Sequence, residues 1–123
     1  MRTILLSIKP EYCDRIFAGT KKFEFRKHLA QDDVCKIVIY STAPEKKVLG
    51  EVEVKGTITM KKTPLWEHTK GFAGISREKY RQYFEKCAEA HAYVLGETKL
   101  YDTPLTLDAY GITQAPQSFV YLD

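Results

Sequence analysis

The sequence has few of the residues that mark metal-binding and disulfide-rich proteins. Its 123 residues include three cysteines, Cys13, Cys35 and Cys87, which are odd in number, widely spaced and without a CxxC pair. The three histidines are equally scattered, so no spacing typical of a zinc site is present. These absences predict a reducing, cytoplasmic setting, no metal site and no other cofactor.

The sequence also lacks long apolar runs. No segment approaches the roughly 18 consecutive apolar residues of a membrane helix. The first apolar run is interrupted by Lys9 and Pro10, which is not typical of a signal peptide. We therefore expect neither a secretory signal nor a membrane partner.

Charge of one sign is not in large excess. Lys and Arg total 19 against 16 Asp and Glu, and this net charge of +3 excludes the dense positive coat of a histone-like protein. Within residues 1–27, however, seven basic residues stand against three acidic ones. This bias predicts a nucleic-acid or nucleotide site confined to one face, with simple solubility as the alternative.

The composition that remains is that of an ordinary globular domain. Hydrophobic residues make up 44% and charged residues 28%, and the length suits one domain over residues 1–123. Alternating and β-branched runs predict about six strands, over 3–8, from Lys21, and over 35–41, 47–60, 91–101 and 118–122. Glycines inside the long fourth strand favour a curved strand, as a small closed barrel requires.

Two or three helices are expected between these strands. Apolar pairs four residues apart predict a helix over 10–18 that ends at Gly19. A short helical segment begins at Pro64, and a stronger helix capped by Ser76 extends to Ala88. Strands and helices together predict the α+β class.

The segment GTKKFEFRK, residues 19–27, has the strongest functional pattern. Strand alternation places Phe23 and Phe25 on the core side and Glu24 and Arg26 together on the other side. Lys21 follows a glycine loop and can turn toward them. An Arg fork held by a carboxylate can bind a phosphate or a base edge bidentately. The segment predicts a cleft for an anionic, planar ligand, or else an edge strand charged only for solubility.

This segment resembles the G-x-K-x-x-E-x-R signature of the ASCH domain, a relative of the PUA fold, at Gly19, Lys21, Glu24 and Arg26. The segments ILLSIKPEY, KIVIYST and APQSFVYL also resemble small prokaryotic ASCH proteins, so the resemblance covers essentially the whole chain. It implies a PUA-like β-barrel with two to three flanking helices and a cleft beside the signature strand. It also implies RNA or nucleotide binding, with a regulatory role that includes transcriptional regulation.

A subset of the family resembles N4-acetylcytidine amidohydrolases. These use the signature lysine, a threonine two positions before the arginine and a later glutamate. Lys21 matches the lysine, whereas Glu24 stands where those enzymes have threonine. A metal-free amidohydrolase of this kind would use Lys21 and Glu24 as donor and base on an acylated or otherwise modified nucleoside.

Five further side chains are candidate ligand contacts by their placement in the chain. Ser7 and Lys9 end the first strand, Ser41 ends the third strand, and Gln117 and Ser118 precede the last strand. Each has an ordinary alternative as a solvated, turn or loop residue.

Trp66 is the only tryptophan, and it either stacks on a base or anchors its helix to the core. Lys55, Lys61 and Lys62 either extend a phosphate track or are simply solvated.

Three functions are therefore carried forward. The leading interpretation is a protein that binds RNA or a nucleotide in a cleft formed by Lys21, Glu24 and Arg26. The second is the amidohydrolase described above. The third is a protein-interaction adaptor, which an exposed apolar patch would favour.

Overall fold

The computed structural model describes all of residues 1–123. Its strands are β1 (Arg2–Ile8), β2 (Phe23–Arg26), β3 (Val34–Ser41), β4 (Lys47–Lys61), β5 (Glu89–Leu105) and β6 (Phe119–Tyr121). Its helices are α1 (Pro10–Ala18), α2 (Lys62–Thr69) and α3 (Arg77–Tyr83), with 3₁₀ turns at Lys70–Phe72 and Leu107–Tyr110. None of these helices has the length and apolar character needed to cross a membrane.

The six strands form one sheet in the order β2-β5-β4-β3-β1-β6. Strands β1 and β3 are parallel, and every other neighbouring pair is antiparallel. The predicted six-strand α+β architecture is confirmed. The expectation of a closed barrel is corrected to an open sheet, because the short edge strands β2 and β6 pair only with β5 and β1 and not with each other.

The long hairpin of β4 and β5 is irregular where the glycines occur. Its register shifts at three places, and two of them lie next to Gly50 and Gly56. Such bulges bend and twist a strand. The prediction of a long, bent fourth strand is confirmed.

Helix α1 is bounded as its sequence predicts. Pro10 occupies its first turn, and Gly19 ends it with φ of 84°, a left-handed conformation that glycine adopts without strain. The N–H of Lys21 then donates to the carbonyl of Arg15 at 3.1 Å. The C-terminus of the helix thereby fixes where the signature strand begins.

Helix α3 is shorter than expected. The Ser76 hydroxyl accepts the N–H of Lys79 at 3.1 Å and caps the helix as predicted. The helix ends at Tyr83 instead of continuing to Ala88. Two tertiary constraints account for this early end. The side chain of Phe84 is fully buried in the core, and a few residues later the chain must reach β4, where Glu89 pairs with Lys61 at the start of β5.

Apolar side chains form three clusters. Strands β1 and β3 lie mid-sheet and are buried on both faces, with Ile4 and Ile37 in one cluster and Leu5 and Val38 in another. The third cluster packs α2 and α3 against β2 and β5 through aromatic side chains such as Phe25, Tyr80 and Phe84. This third cluster positions α3 as a wall beside the signature strand.

Cys13 belongs to the core, as its apolar position predicts. Its side chain is fully buried, and burial raises the pKa of its thiol to about 12. A thiol with this pKa stays protonated at neutral pH and is a poor nucleophile.

Candidate functional site

A cleft of about 880 Å³ opens where the signature strand, α1, α3 and the turn after β3 converge. The segment before β6 closes one side. The cleft is lined by Ser7, Lys9, Tyr12, Lys21, Glu24, Phe25, Arg26, Tyr40, Thr42, Ala43, Lys46, Ile75, Lys79, Gln82, Tyr83, Ala115, Pro116 and Gln117. A cleft of this size is in the range of sites for nucleotide-sized ligands.

Glu24 and Arg26 form the centre of this cleft. Strand β2 pairs with β5 so that both side chains lie on one face, and Arg26 donates to Oε2 of Glu24 from Nη2 at 2.7 Å and from Nε at 3.1 Å. Nη2 of Arg26 also donates to the carbonyl of Ser7 at 2.8 Å. Glu24 is only 5% exposed, so a strand charged merely for solubility does not account for it.

Lys21 lies beneath this pair. Its Nζ donates to the carbonyl of Ala73 at 2.8 Å and is 3.9 Å from Oε1 of Glu24. Nζ also lies 5.1 Å from the ring centre of Tyr12 and 5.0 Å from that of Phe25. Burial lowers the pKa of the Lys21 amine, and the Glu24 carboxylate opposes that shift. Lys21 thus provides a buried positive charge that stabilises the Glu24 carboxylate.

Gly74 holds the stem of Lys21. Its φ is 62°, and a Cβ atom there would overlap the Cβ, Cγ and Cδ atoms of Lys21.

We expect Gly74→Ala to lower the free energy of unfolding by about 1 to 3 kcal/mol, because of the left-handed backbone and this overlap. Chemical denaturation checks the effect. Gly71→Ala is the control, since nothing lies within 4 Å of its added Cβ and its φ is not left-handed; equal losses in the two variants would contradict the packing argument.

Several polar atoms in the cleft remain open to a ligand, and three of them lie on Glu24, Arg26 and Tyr40. Oε1 of Glu24, Nη1 of Arg26 and the hydroxyl of Tyr40 form no hydrogen bond within the protein, and none is sealed from solvent. The ion pair of Glu24 and Arg26 therefore keeps one acceptor atom and one donor atom without a hydrogen bond inside the protein.

The rim of the cleft is cationic. Lys9 and Lys46 form no ion pair, whereas Lys79 is 3.6 Å from the carboxylate of Glu11. With Lys21 and Arg26 included, five basic side chains and one carboxylate line the cleft. This excess favours an anionic ligand.

Of the five other predicted contacts, Ser7, Lys9 and Gln117 line the cleft, whereas Ser41 and Ser118 do not. Ser7 lines the cleft, where its hydroxyl donates to the carbonyl of Pro116 at 2.7 Å, and Gln117 lines it as well. Ser118 contributes a carbonyl that accepts from the N–H of Ser7, but its side chain does not line the cleft. Ser41 is fully buried, and its hydroxyl is sealed without a hydrogen-bond partner.

Sequence reasoning missed Tyr40, Lys46 and Lys79. Tyr40 sits in an apolar run that predicted only a buried strand, and Lys46 lies in the turn after it with a left-handed φ of 53°. A non-glycine residue with positive φ is uncommon, but sequence does not reveal it. Lys79 reaches the cleft because α3 packs beside β2, which is a tertiary contact.

The structure has no cluster of side chains typical of a metal site. No three or more His, Cys, Asp or Glu side chains are grouped to hold a metal ion. The absence of a metal stays a prediction, which metal analysis of the purified protein would test.

The ASCH domain family model matches residues 6–100, which include the signature strand and most of the cleft. This chain belongs to the ASCH domain family. The match spans most of the sheet and all three helices.

Known ASCH structures have the same fold. The crystal structure of the ASCH protein from Zymomonas mobilis superposes on this ASCH domain with a TM-score of 0.91 and 29% identity, over 99% of this chain and 88% of that one. The N-terminal domain of McrB from Staphylothermus marinus superposes with a TM-score of 0.53 and 16% identity, over 87% of this chain and 77% of that one. This similarity is one of fold alone.

Sequence relatives include an ASCH domain-containing ribonuclease of Zymomonas mobilis, 30% identical over 96% of this chain and 82% of that protein. A large ribosomal subunit protein uL22 of Ureaplasma parvum is 30% identical over 98% of this chain. The chain spans only 39% of the length of that ribosomal protein.

Proposed function

We propose that this ASCH domain binds single-stranded RNA in the cleft and cleaves it by attack of a ribose 2′-hydroxyl on the adjacent phosphate. The observation that carries the proposal is the ion pair of Glu24 and Arg26 in a cationic cleft, in which Oε1 of Glu24 and Nη1 of Arg26 form no hydrogen bond within the protein. A ribose hydroxyl needs the acceptor, and a phosphate needs the donor. RNA supplies both groups on neighbouring atoms.

The cationic side chains account for binding. Nη1 of Arg26 faces a non-bridging phosphate oxygen, and Lys9 and Lys46 are free to contact flanking phosphates. The same charges stabilise the extra negative charge that the phosphate gains as the 2′-oxygen attacks.

The reaction uses groups of the cleft for both proton transfers. Oε1 of Glu24 takes the proton of the 2′-hydroxyl while the 2′-oxygen bonds to phosphorus. The bond from phosphorus to the 5′-oxygen breaks, and the hydroxyl of Tyr40 gives its proton to that oxygen. The products are a 2′,3′-cyclic phosphate and a 5′-hydroxyl end, and water returns the protons to their starting positions.

The relatives support this assignment. The Zymomonas mobilis protein is named a ribonuclease, and its solved structures include a tyrosine-to-phenylalanine variant and a serine-to-alanine variant. Each of these substitutions removes one hydroxyl group. The cleft of the present chain contains a tyrosine hydroxyl at Tyr40.

Cleavage of an end-labelled RNA strand tests the proposal. We expect Tyr40→Phe to slow cleavage by about 10²-fold or more, because one proton transfer is lost, while affinity for RNA stays unchanged. Tyr110→Phe is the matched control, since this tyrosine lies outside the cleft. A strand with 2′-deoxy sugars should bind and remain intact.

Binding has its own test. Arg26→Lys keeps the charge but loses the planar fork, so we expect RNA affinity to fall by about tenfold. Lys22→Ala, on the same segment but outside the cleft, should change affinity little. No cleavage of RNA by the unmodified protein, or cleavage of the 2′-deoxy strand, would contradict the proposed reaction.

Amide hydrolysis is the second candidate, and one observation favours it. The buried Lys21 amine, whose pKa is lowered by burial, lies 3.9 Å from the Glu24 carboxylate. Such a pair could serve as base and donor on an acylated nucleoside. Incubation with N4-acetylcytidine, followed by chromatography, separates this activity from RNA cleavage, and Lys21→Ala is the control variant.

The adaptor interpretation has less support. The exposed large apolar side chains are Met1, Phe72, Leu100 and Leu105, and only Leu100 and Leu105 share an element, strand β5. A protein partner that still binds a variant unable to bind RNA in the cleft would favour the adaptor interpretation.

A further inference from the structure

A second groove lies on the other side of α3 from the cleft. Its cavity is about 830 Å³, and it is formed between α2 and α3. Gln82 lines both the groove and the cleft, so α3 is the only element between them at this point. The cleft does not include any residue of α2.

We propose that this groove binds the continuation of the RNA strand, with a base stacked on Trp66 and phosphates on Arg77 and Arg81. This inference rests on the proposed function and deepens it, because it makes the substrate an oligonucleotide instead of a free nucleotide. The α3 helix is about 10 Å across, so a mononucleotide in the cleft cannot also occupy the groove.

Trp66 has the exposure and chemistry of a stacking platform. It lines the groove and packs on one side against Tyr80, with ring centres 5.0 Å apart. Its indole N–H forms no hydrogen bond within the protein and is not sealed from solvent. Because this N–H is open to solvent, it is free to donate to a ligand that displaces the water.

The charges of the groove suit a phosphate chain. Arg77 and Arg81 stand one helical turn apart on α3, are exposed and form neither an ion pair nor a side-chain hydrogen bond. Lys62 is the third cation, and its Nζ donates to the carbonyl of Glu85 at 3.2 Å. Two carboxylates, Glu78 and Glu85, leave an excess of one positive charge.

The test uses Trp66 as its own reporter, since it is the only tryptophan in the chain. We expect an oligouridylate of about ten nucleotides, made with 2′-deoxy sugars so that it is not cleaved, to quench its fluorescence by stacking. Uridine monophosphate should bind in the cleft without quenching. Quenching by both ligands alike, or by neither while the oligonucleotide still binds, would overturn the proposal.

A charge variant gives a second measurement. Arg77→Ala with Arg81→Ala should weaken oligouridylate binding by about tenfold and reduce the salt slope of binding by about 1.4, with uridine monophosphate affinity unchanged. Lys86→Ala with Lys99→Ala removes the same charge from exposed positions outside both cavities. If the two double variants weaken oligouridylate binding equally, the proposal that the groove binds RNA is wrong.

The two proposals fail in different ways. If the unmodified protein binds no RNA, both are wrong. The protein could instead bind or cleave RNA without quenching of Trp66 fluorescence and without loss of affinity in the double arginine variant. In that case only the proposal of RNA binding in the groove is wrong. Unchanged Trp66 emission of each unliganded variant shows that the fold is intact.

Discussion

Replacement of Glu24 by alanine is expected to lower the free energy of unfolding by about 3 to 5 kcal/mol. The Glu24 carboxylate lies between Arg26 and Lys21, whose side chains are 14% and 2% exposed. Removing the shared anion leaves two poorly solvated cations without their partner. Burial of charge is costly when the compensating charge is absent.

Urea unfolding measures this loss, and Glu11→Ala is the matched control. The Glu11 carboxylate also contacts a lysine, Lys79, but both side chains are largely exposed. We expect that substitution to cost under about 1 kcal/mol. Similar losses in both variants would show that the Glu24 cluster does not act as a buried unit.

Glu24→Gln separates the charge from the shape. Glutamine can still accept a hydrogen bond from Arg26, so we expect less destabilisation than with alanine. It cannot take the proton of a 2′-hydroxyl, so RNA cleavage should be lost even where the protein remains folded.

Replacement of Phe84 by alanine is the second change with a large expected effect. Phe84 is fully buried, and its ring centre lies 5.0 Å from that of Tyr80 and 4.8 Å from that of Tyr83. The cavity and the lost contacts should cost about 3 to 5 kcal/mol. Because this cluster holds α3 beside β2, RNA affinity should fall as well.

Phe72→Ala is the control for this prediction, since Phe72 is 48% exposed and the substitution is chemically identical. We expect it to change the free energy of unfolding by less than about 1 kcal/mol. Thermal or urea unfolding compares the two. A Phe84 variant as stable as the Phe72 variant would contradict the role of the aromatic cluster.

Local chemistry made several features predictable from sequence. Pro10 and Gly19 bound α1 because each suits one end of a helix, and Ser76 caps α3 for the same reason. Alternation along β2 placed Glu24 and Arg26 on one face, since side chains of a strand alternate regardless of what surrounds them. The resemblance to the ASCH family was confirmed by the family match.

Tertiary packing decided the rest. Whether Ser41 faces the cleft or the core depends on how β3 pairs with β1 and β4, and its hydroxyl is sealed inside. Tyr40 and Lys79 reach the cleft from distant segments, which no local pattern could show.

The open sheet was decided in the same way. Internal glycines indicate a bend in β4, but closure depends on whether the edge strands meet, and β2 and β6 pair elsewhere. Most helices and strands, and the pairing of Glu24 with Arg26, could therefore be predicted from sequence, because they depend on neighbours along the chain. Only the tertiary structure determined the walls of the cleft and the groove behind α3, because these depend on contacts between residues far apart in sequence.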